Sequence, residues 1–245
     1  MKRILCPLPD RDFDVTEVAV PWKLLKRAGH SVIFATEHGA TPAADPRLLT
    51  GVLFGKLGAE PEAKAFYAQL LLSPEFQRPL SWASLLMADY DALLLPGGHA
   101  PGMRQYLGSS VLQSKIAELW TGSQKPVGAI CHGVLPLARS KDISGKSVLF
   151  NSRTTCLTKP LERSAYFLTF WKLGKYYRTY PAYVEDEVKS ALRAAAQFTR
   201  GPRVLTARGT DTDDTPAYVV EDGRYVSARW PGDAYLFAKK LLDRL

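Results

Sequence analysis

Short apolar runs closed by glycine or proline alternate along this chain with longer amphipathic stretches. Residues 4–8 form the first such run, ending at Pro9, and are predicted to be a strand. A polar loop at 10–14 follows, and residues 16–28 read as a helix with Val18, Leu24 and Leu25 on its apolar side and Gly29 as the stop signal. Pro21 inside that span predicts a kink or a later start. Residues 31–36, S-V-I-F-A-T, read as a second strand. Strand, helix, glycine and strand in succession make a βαβ unit, which implies parallel pairing and a right-handed crossover.

Residues 37–60 are rich in Gly, Pro and Ala, and a loop this long is either functional or disordered. Further helices are predicted over 62–72, 81–88, 111–120, 134–138, 184–198 and 234–242. Further strands are predicted over 91–95, 127–130, 147–150, 203–206, 217–220 and 224–228, the last two joined through the hairpin signal Glu221-Asp222-Gly223. Residues 152–182 read as irregular and aromatic-rich. This alternation predicts an α/β fold, a doubly wound and mainly parallel sheet with helices on both faces. It is expected to form a single domain over 1–245, with 37–85 inserted as a lid-like segment near its mouth.

The chain of 245 residues is 46% hydrophobic and 23% charged, which places it among globular proteins rather than disordered ones. Its three cysteines, Cys6, Cys131 and Cys156, form no C-x-x-C pair, arguing against a disulfide-stapled module or a cysteine-rich zinc domain. The basic start is broken by Pro7, Pro9 and Asp10, too soon for a signal peptide, and no apolar run approaches a membrane span. A soluble, cytoplasmic protein without membrane association is expected. The net charge of +8 is dispersed, so a moderately basic enzyme is expected rather than a nucleic-acid binder. The segment 171–180, W-K-L-G-K-Y-Y-R-T-Y, interleaves aromatics with basic residues but reads as core or interface packing.

Parallel sheets bind ligands at the carboxyl ends of their strands, here the loops 8–17 and 96–105 and the turn at Cys131. G-A-I-C-H-G, residues 128–133, has the spacing of a nucleophile elbow, with small Ala129 and Gly133 two residues either side of Cys131. A helix N-terminus at that point is expected to lower the thiol pKa. The plainer alternative is a buried cysteine ending a core strand, which is the reading for Cys6 and Cys156. L-L-L-P-G-G-H, residues 93–99, brings backbone close to a ligand, so Gly97, Gly98 and His99 are candidate oxyanion and substrate-binding residues, with N–H groups near Gly98 and His132 as donors. Of the four histidines, His30 reads as structural, His38 and His99 lie at strand-end loops, and His132 adjoins Cys131 as candidate proton carrier. None follows His132, which excludes a papain-like chain order. Glu162 is a candidate acceptor to orient His132, or a solvated acid in a first helical turn. Glu17 opens the first helix on the same sheet edge as Cys131 and, protonated, would donate a hydrogen bond to a thiolate.

Together, Glu17 ahead of W-K-L-L-K-R-A-G-H-S-V-I-F-A-T, D-A-L-L-L-P-G-G-H-A-P-G, V-G-A-I-C-H-G and the closing Y-V-S-A-R-W-P-G-D-A resemble the ThiJ/PfpI superfamily. The resemblance implies the flavodoxin-type fold of class I glutamine amidotransferases, and is nearest to the branch of heat-shock chaperones and glutathione-independent glyoxalase III enzymes. It implies a nucleophile at Cys131, a helper at His132 and an acid at Glu17, with Glu162 matching the remaining position by spacing only. Val134-Leu135 after the cysteine and the lack of a later histidine argue against glutaminase chemistry. The implied activity is cysteine-dependent conversion of a small reactive carbonyl, a 2-oxoaldehyde to a 2-hydroxy acid or a deglycase-like step, with no metal or organic cofactor. A stress-response chaperone, a cysteine-oxidation sensor and a cysteine amidase or peptidase stay open, as does a homodimer using the aromatics of 166–180.

Overall fold

The computed structural model describes residues 1–53, 57–203 and 206–245. Its main sheet contains β1 (Arg3–Pro7), β2 (Ser31–Thr36), β3 (Leu80–Ser81), β4 (Ala92–Leu95), β5 (Val127–Ile130), β6 (Val219–Asp222) and β7 (Tyr225–Ala228). The strand order is β3-β2-β1-β4-β5-β7-β6, parallel throughout except for the β6–β7 hairpin at the edge. Ile4 to Pro7, Ala92 to Leu95 and Val127 to Ile130 are buried at every position. Continuous apolar runs, rather than alternation, are what a parallel sheet covered by helices on both faces requires.

The principal helices are α1 (Val15–Arg27), α2 (Pro61–Leu71), α3 (Ser110–Gly122), α4 (Val134–Arg139), α5 (Lys159–Leu173), α6 (Val184–Ala191) and α7 (Ala234–Leu242). Helix α1 packs against α2 and α7, while α4 packs against α3 and α6. Pro21 is accommodated inside α1, which runs on to Arg27. Gly29, at φ 80°, then turns the chain into β2. Because β2 lies on one side of β1 and β4 on the other, a crevice forms where the winding reverses, at the carboxyl ends of β1, β4 and β5.

Several sequence expectations are corrected. Residues 81–88 form two separate 3₁₀ turns, Trp82–Ser84 and Met87–Asp89, not a helix. Trp82 is buried, and its indole N–H donates to the Ala35 carbonyl at 3.0 Å, a tertiary anchor that overrides the local pattern. Residues 147–150 form a turn instead of a strand, with Val148 N–H donating to Ser140 O and Phe150 N–H to Ser147 O. The stretch 152–182 contains the fifteen-residue α5, whose outward face carries exposed Phe167, Phe170 and Trp171 and so lacks the polar side that marks an amphipathic helix. Helix α6 stops at Ala191, where Gln197 returns its side chain to the Ala194 N–H. The strand expected at 203–206 lies partly outside the described residues. Among the described residues no helix is long and apolar enough to cross a membrane.

Candidate functional site

At the end of β5 the chain reverses sharply through Cys131–Gly133 into α4. Cys131 adopts φ 59°, a left-handed conformation that costs a residue with a Cβ about 1–3 kcal/mol and persists only where its surroundings impose it. The surroundings are close-packed backbone. A Cβ on Gly133 would lie 2.0 Å from the Leu95 carbonyl oxygen, and one on Gly97 would lie 2.7 Å from His132 N and 3.0 Å from Cys131 Cβ. The elbow is therefore wedged against the end of β4, as the spacing of small residues predicts.

Glu17 reaches this elbow from the first turn of α1. Asp14 caps the helix, its Oδ1 accepting from Thr16 N–H at 2.8 Å and Glu17 N–H at 3.1 Å. The Glu17 side chain is fully buried, with Oε2 accepting from Gly97 N–H at 2.7 Å and the Cys131 thiol as its other hydrogen-bonding neighbour. Burial first, and then the negative charge of Asp14, holds the Glu17 carboxyl well above the usual carboxylate range. Burial thereby favours its neutral form. Oε1 is buried with no hydrogen-bond partner among the described residues. Burial also pushes Asp14 up to about 6, against the pull of its helix amides.

Burial pushes the Cys131 thiol up as well, and the hydrogen bond from His132 N–H pulls the other way without overcoming it. This corrects the expectation of a lowered thiol pKa. The helix start is present, but the sulfur is removed from solvent, and desolvation of the thiolate is the larger effect.

His132 is fully buried, with Nδ1 3.6 Å from Cys131 Sγ and Nε2 3.2 Å from Thr179 Oγ1. The Thr179 hydroxyl donates to the His99 carbonyl at 2.7 Å, so its oxygen is left as an acceptor. The proton of His132 is thereby placed on Nε2, and Nδ1 presents a lone pair to the sulfur. Burial, then His99, Arg139 and Arg178, hold His132 well below its ordinary pKa, and burial takes His99 down to about 4. Cys131, His132 and His99 are thus uncharged at neutral pH, and Glu17 is pushed toward its neutral form, as a dry site favours.

Glu162 does not join this group. Its Oε1 accepts from Arg178 at 3.0 Å and its Oε2 from Val184 N–H at 3.0 Å, tying α5 to the start of α6, and burial pushes the carboxyl up to about 7. Thr179, within the segment expected only to pack, takes the place next to His132. Gly97 spends its N–H on Glu17, so it positions the acid and is no oxyanion donor. The backbone of Gly98 is pressed against the loop before α1, where a Cβ would lie 2.8 Å from Asp12 O. His99 supplies its carbonyl to Thr179 and stands its ring edge-on to His132, with centroids 4.8 Å apart. His30 accepts from Lys2 N–H at 3.2 Å in a structural contact, His38 is exposed, and Cys6 and Cys156 are buried.

His99 also borders a cavity of about 190 Å³ lined by Leu48, Leu57, Leu161, Tyr177 and Trp230, which come from the 37–85 segment, α5 and the chain beyond them. The buried Arg229–Asp233 pair follows β7, with Arg229 Nη2 2.8 Å from Asp233 Oδ1, and Asp233 adds to the upward push on Glu17. One thiol and two imidazoles, those of Cys131, His132 and His99, offer donor atoms within 4.8 Å of one another.

Comparison with known proteins bears on the family and the fold. A profile described as ThiJ/PfpI family-like matches residues 8–202. Over 233 residues the chain is 25% identical to Deglycase PYRAB04690 of Pyrococcus abyssi, covering 95% of this chain and 93% of that one. Over 151 residues it is 28% identical to Glutathione-independent glyoxalase hsp3102 of Schizosaccharomyces pombe, covering 59% of each chain. Among solved structures it is similar to glyoxalase III from Candida albicans, with a TM-score of 0.69 and 19% identity over 100% of this chain and 97% of that one, a likeness of fold.

Proposed function

The chain belongs to the ThiJ/PfpI family, and on that premise we propose that it is a cysteine-dependent enzyme acting on small reactive carbonyls, turning a 2-oxoaldehyde such as methylglyoxal into a 2-hydroxy acid without glutathione. The observation that carries this reading is Cys131 Sγ 3.6 Å from His132 Nδ1, at an elbow where Gly97 holds the buried Glu17 carboxyl against the cysteine. Relatives named deglycase and glutathione-independent glyoxalase support carbonyl chemistry.

In this reading the Cys131 S–H proton passes to His132 Nδ1 as sulfur bonds to the aldehyde carbon. His132 N–H, already aimed at the sulfur, assists the oxyanion of the resulting hemithioacetal. His132 hands the proton it gained to that oxygen, and its freed Nδ1 then takes the hydrogen on C1 as a proton and returns it to C2 through an enediol, with Glu17 as a second proton carrier. The thioester so formed is hydrolysed by water, which frees the thiol and leaves the 2-hydroxy acid. Every step uses groups of the chain and water.

The test is to incubate purified protein with methylglyoxal, without glutathione, and to measure lactate. Turnover that disappears in Cys131→Ala is expected. No lactate from the unmodified protein overturns the reading. Aggregation suppression that survives Cys131→Ala would then favour a holding chaperone, and cleavage of peptides an amidase.

A further inference from the structure

Helix α5 uses one side to build the cavity and leaves the other largely in water. Leu161, Ala165 and Thr169, spaced four residues apart, line the cavity beside the site. Phe167, Phe170 and Trp171 lie on the opposite side at the spacing of one helix face, and are 54%, 47% and 59% exposed. The rings of Tyr166, Phe167 and Phe170 pack on one another, with centroids 5.6, 5.8 and 6.4 Å apart, so the exposed aromatics form one patch rather than scattered contacts with water. A contiguous apolar patch of this kind marks a contact surface.

The rim of the patch is basic. From 159 to 180 the sequence carries Lys159, Arg163, Lys172, Lys175 and Arg178 against a single acid, Glu162, which is buried and paired with Arg178. Lys159 pairs with Asp186, and Arg200 with Glu185. Arg163 and Lys175 are exposed and have no acidic partner among the described residues. Arg163 lies over the Phe167 ring, 5.7 Å from its centroid, and lines a surface notch with Lys159, Ser164 and Arg200 at the start of the helix.

These charges choose the partner. A second copy docked about a two-fold axis would set one basic rim against another. A single-stranded nucleic acid needs aromatic platforms in a basic groove, but the tyrosines of this segment are engaged internally. Tyr177 donates to Asp45, while Arg47 and Arg139 stack on Tyr176 and Tyr180. Aromatics on one helix face beside cations without partners fit the boundary between anionic headgroups and acyl chains. We propose that α5 is a docking surface for an anionic phospholipid bilayer, with Phe167, Phe170 and Trp171 entering the acyl boundary and Arg163 and Lys175 meeting headgroup phosphates. The expectation of no membrane association rests on the lack of a spanning run, which a helix lying flat on the surface does not require. The proposal does not depend on which reaction the thiol performs.

The experiment is co-sedimentation of the full chain with vesicles of phosphatidylserine and phosphatidylcholine in equal parts, beside vesicles of phosphatidylcholine alone. Binding to the mixed vesicles, roughly tenfold or more tighter than to the neutral ones and weakened by salt, is expected. Arg163→Gln with Lys175→Gln should weaken it roughly 25-fold, since each cation near such a surface is worth about fivefold. Phe170→Ser with Trp171→Ser should weaken it roughly tenfold or more, with circular dichroism reporting an unchanged fold. Lys2 and Lys125 precede β1 and β5 at the amino ends of the strands. Lys2→Gln with Lys125→Gln makes the same change of charge there and should leave binding within about twofold. Tryptophan emission should shift to the blue on binding, and the shift should vanish in Trp171→Phe while binding persists. No binding to the mixed vesicles, an equal loss in the Lys2 and Lys125 variant, or an unchanged blue shift in Trp171→Phe would overturn the proposal. So would a dimer in sedimentation velocity, or capture of oligothymidine, that Phe170→Ser with Trp171→Ser abolishes while vesicle binding survives.

Discussion

Thr179 Oγ1 lies 3.2 Å from His132 Nε2, and because the threonine hydroxyl is already donated to the His99 carbonyl, the imidazole is the donor in that contact. The consequence appears at the other ring nitrogen, which faces Cys131 as a base. A neutral hydroxyl does here what a carboxylate does in the familiar triads: it fixes tautomer and ring orientation. It adds no charge to a site whose other members are uncharged.

Removing that hydroxyl should be costly for chemistry and cheap for folding. In Thr179→Val, kcat for methylglyoxal is expected to fall about tenfold or more, within the range that positioned proton transfer contributes. Thr179→Ser should recover most of it. Steady-state kinetics with matched thermal unfolding curves checks this, and an unchanged kcat in the valine variant would count against the tautomer assignment.

Glu162 should behave in the opposite way. It contacts Arg178 and Val184 rather than His132, so Glu162→Gln is expected to leave kcat/KM within a factor of about two. Its signature is in stability against pH. The folded carboxyl, raised by burial to about 7, binds its proton more tightly than the unfolded one near 4.5. The unmodified chain therefore loses stability relative to the glutamine variant as pH rises through that window, and the difference levels off above it. Urea unfolding at several pH values measures it.

Glu17→Gln separates hydrogen bonding from proton transfer. The glutamine carbonyl still accepts from Gly97 N–H and its amide still faces the sulfur, but the side chain cannot relay a proton. Turnover should fall by roughly 10²–10⁴, the usual worth of an acid–base group, while stability at neutral pH is retained because burial already favours the neutral form of the replaced carboxyl. Retained turnover would remove Glu17 from the mechanism. A collapse of stability would mean that the carboxyl is ionised in the fold.

Legibility of this site in the sequence followed the range of the forces involved. The elbow at Cys131 could be read because its small residues lie within the six residues 128–133 around the cysteine, although the Leu95 carbonyl that Gly133 meets belongs to β4. Glu17 could be read because a helix beginning after Asp14 sets its place at the sheet edge. Thr179 could not, since its partner is 47 residues away and a threonine between Arg178 and Tyr180 carries no pattern that marks it. Glu162 matches the remaining family position by spacing, but spacing does not tell which way a carboxyl is drawn, and Arg178 draws it aside. The raised thiol pKa was hidden for a similar reason. A helix start is visible in sequence, whereas the depth of burial that outweighs it is a property of the assembled sheet and its helices. Helix α5 escaped because Phe167, Phe170 and Trp171 occupy the face where polar residues would have revealed it.

The central claim is that His132 rests neutral, with its proton on Nε2 and the lone pair of Nδ1 facing Cys131. Nitrogen-15 NMR of the imidazole of His132 at neutral pH tests it directly. The account predicts one protonated nitrogen, Nε2, and one bare nitrogen, Nδ1, with the pattern disturbed in Thr179→Val. A doubly protonated ring beside a thiolate, or a proton on Nδ1, would contradict it.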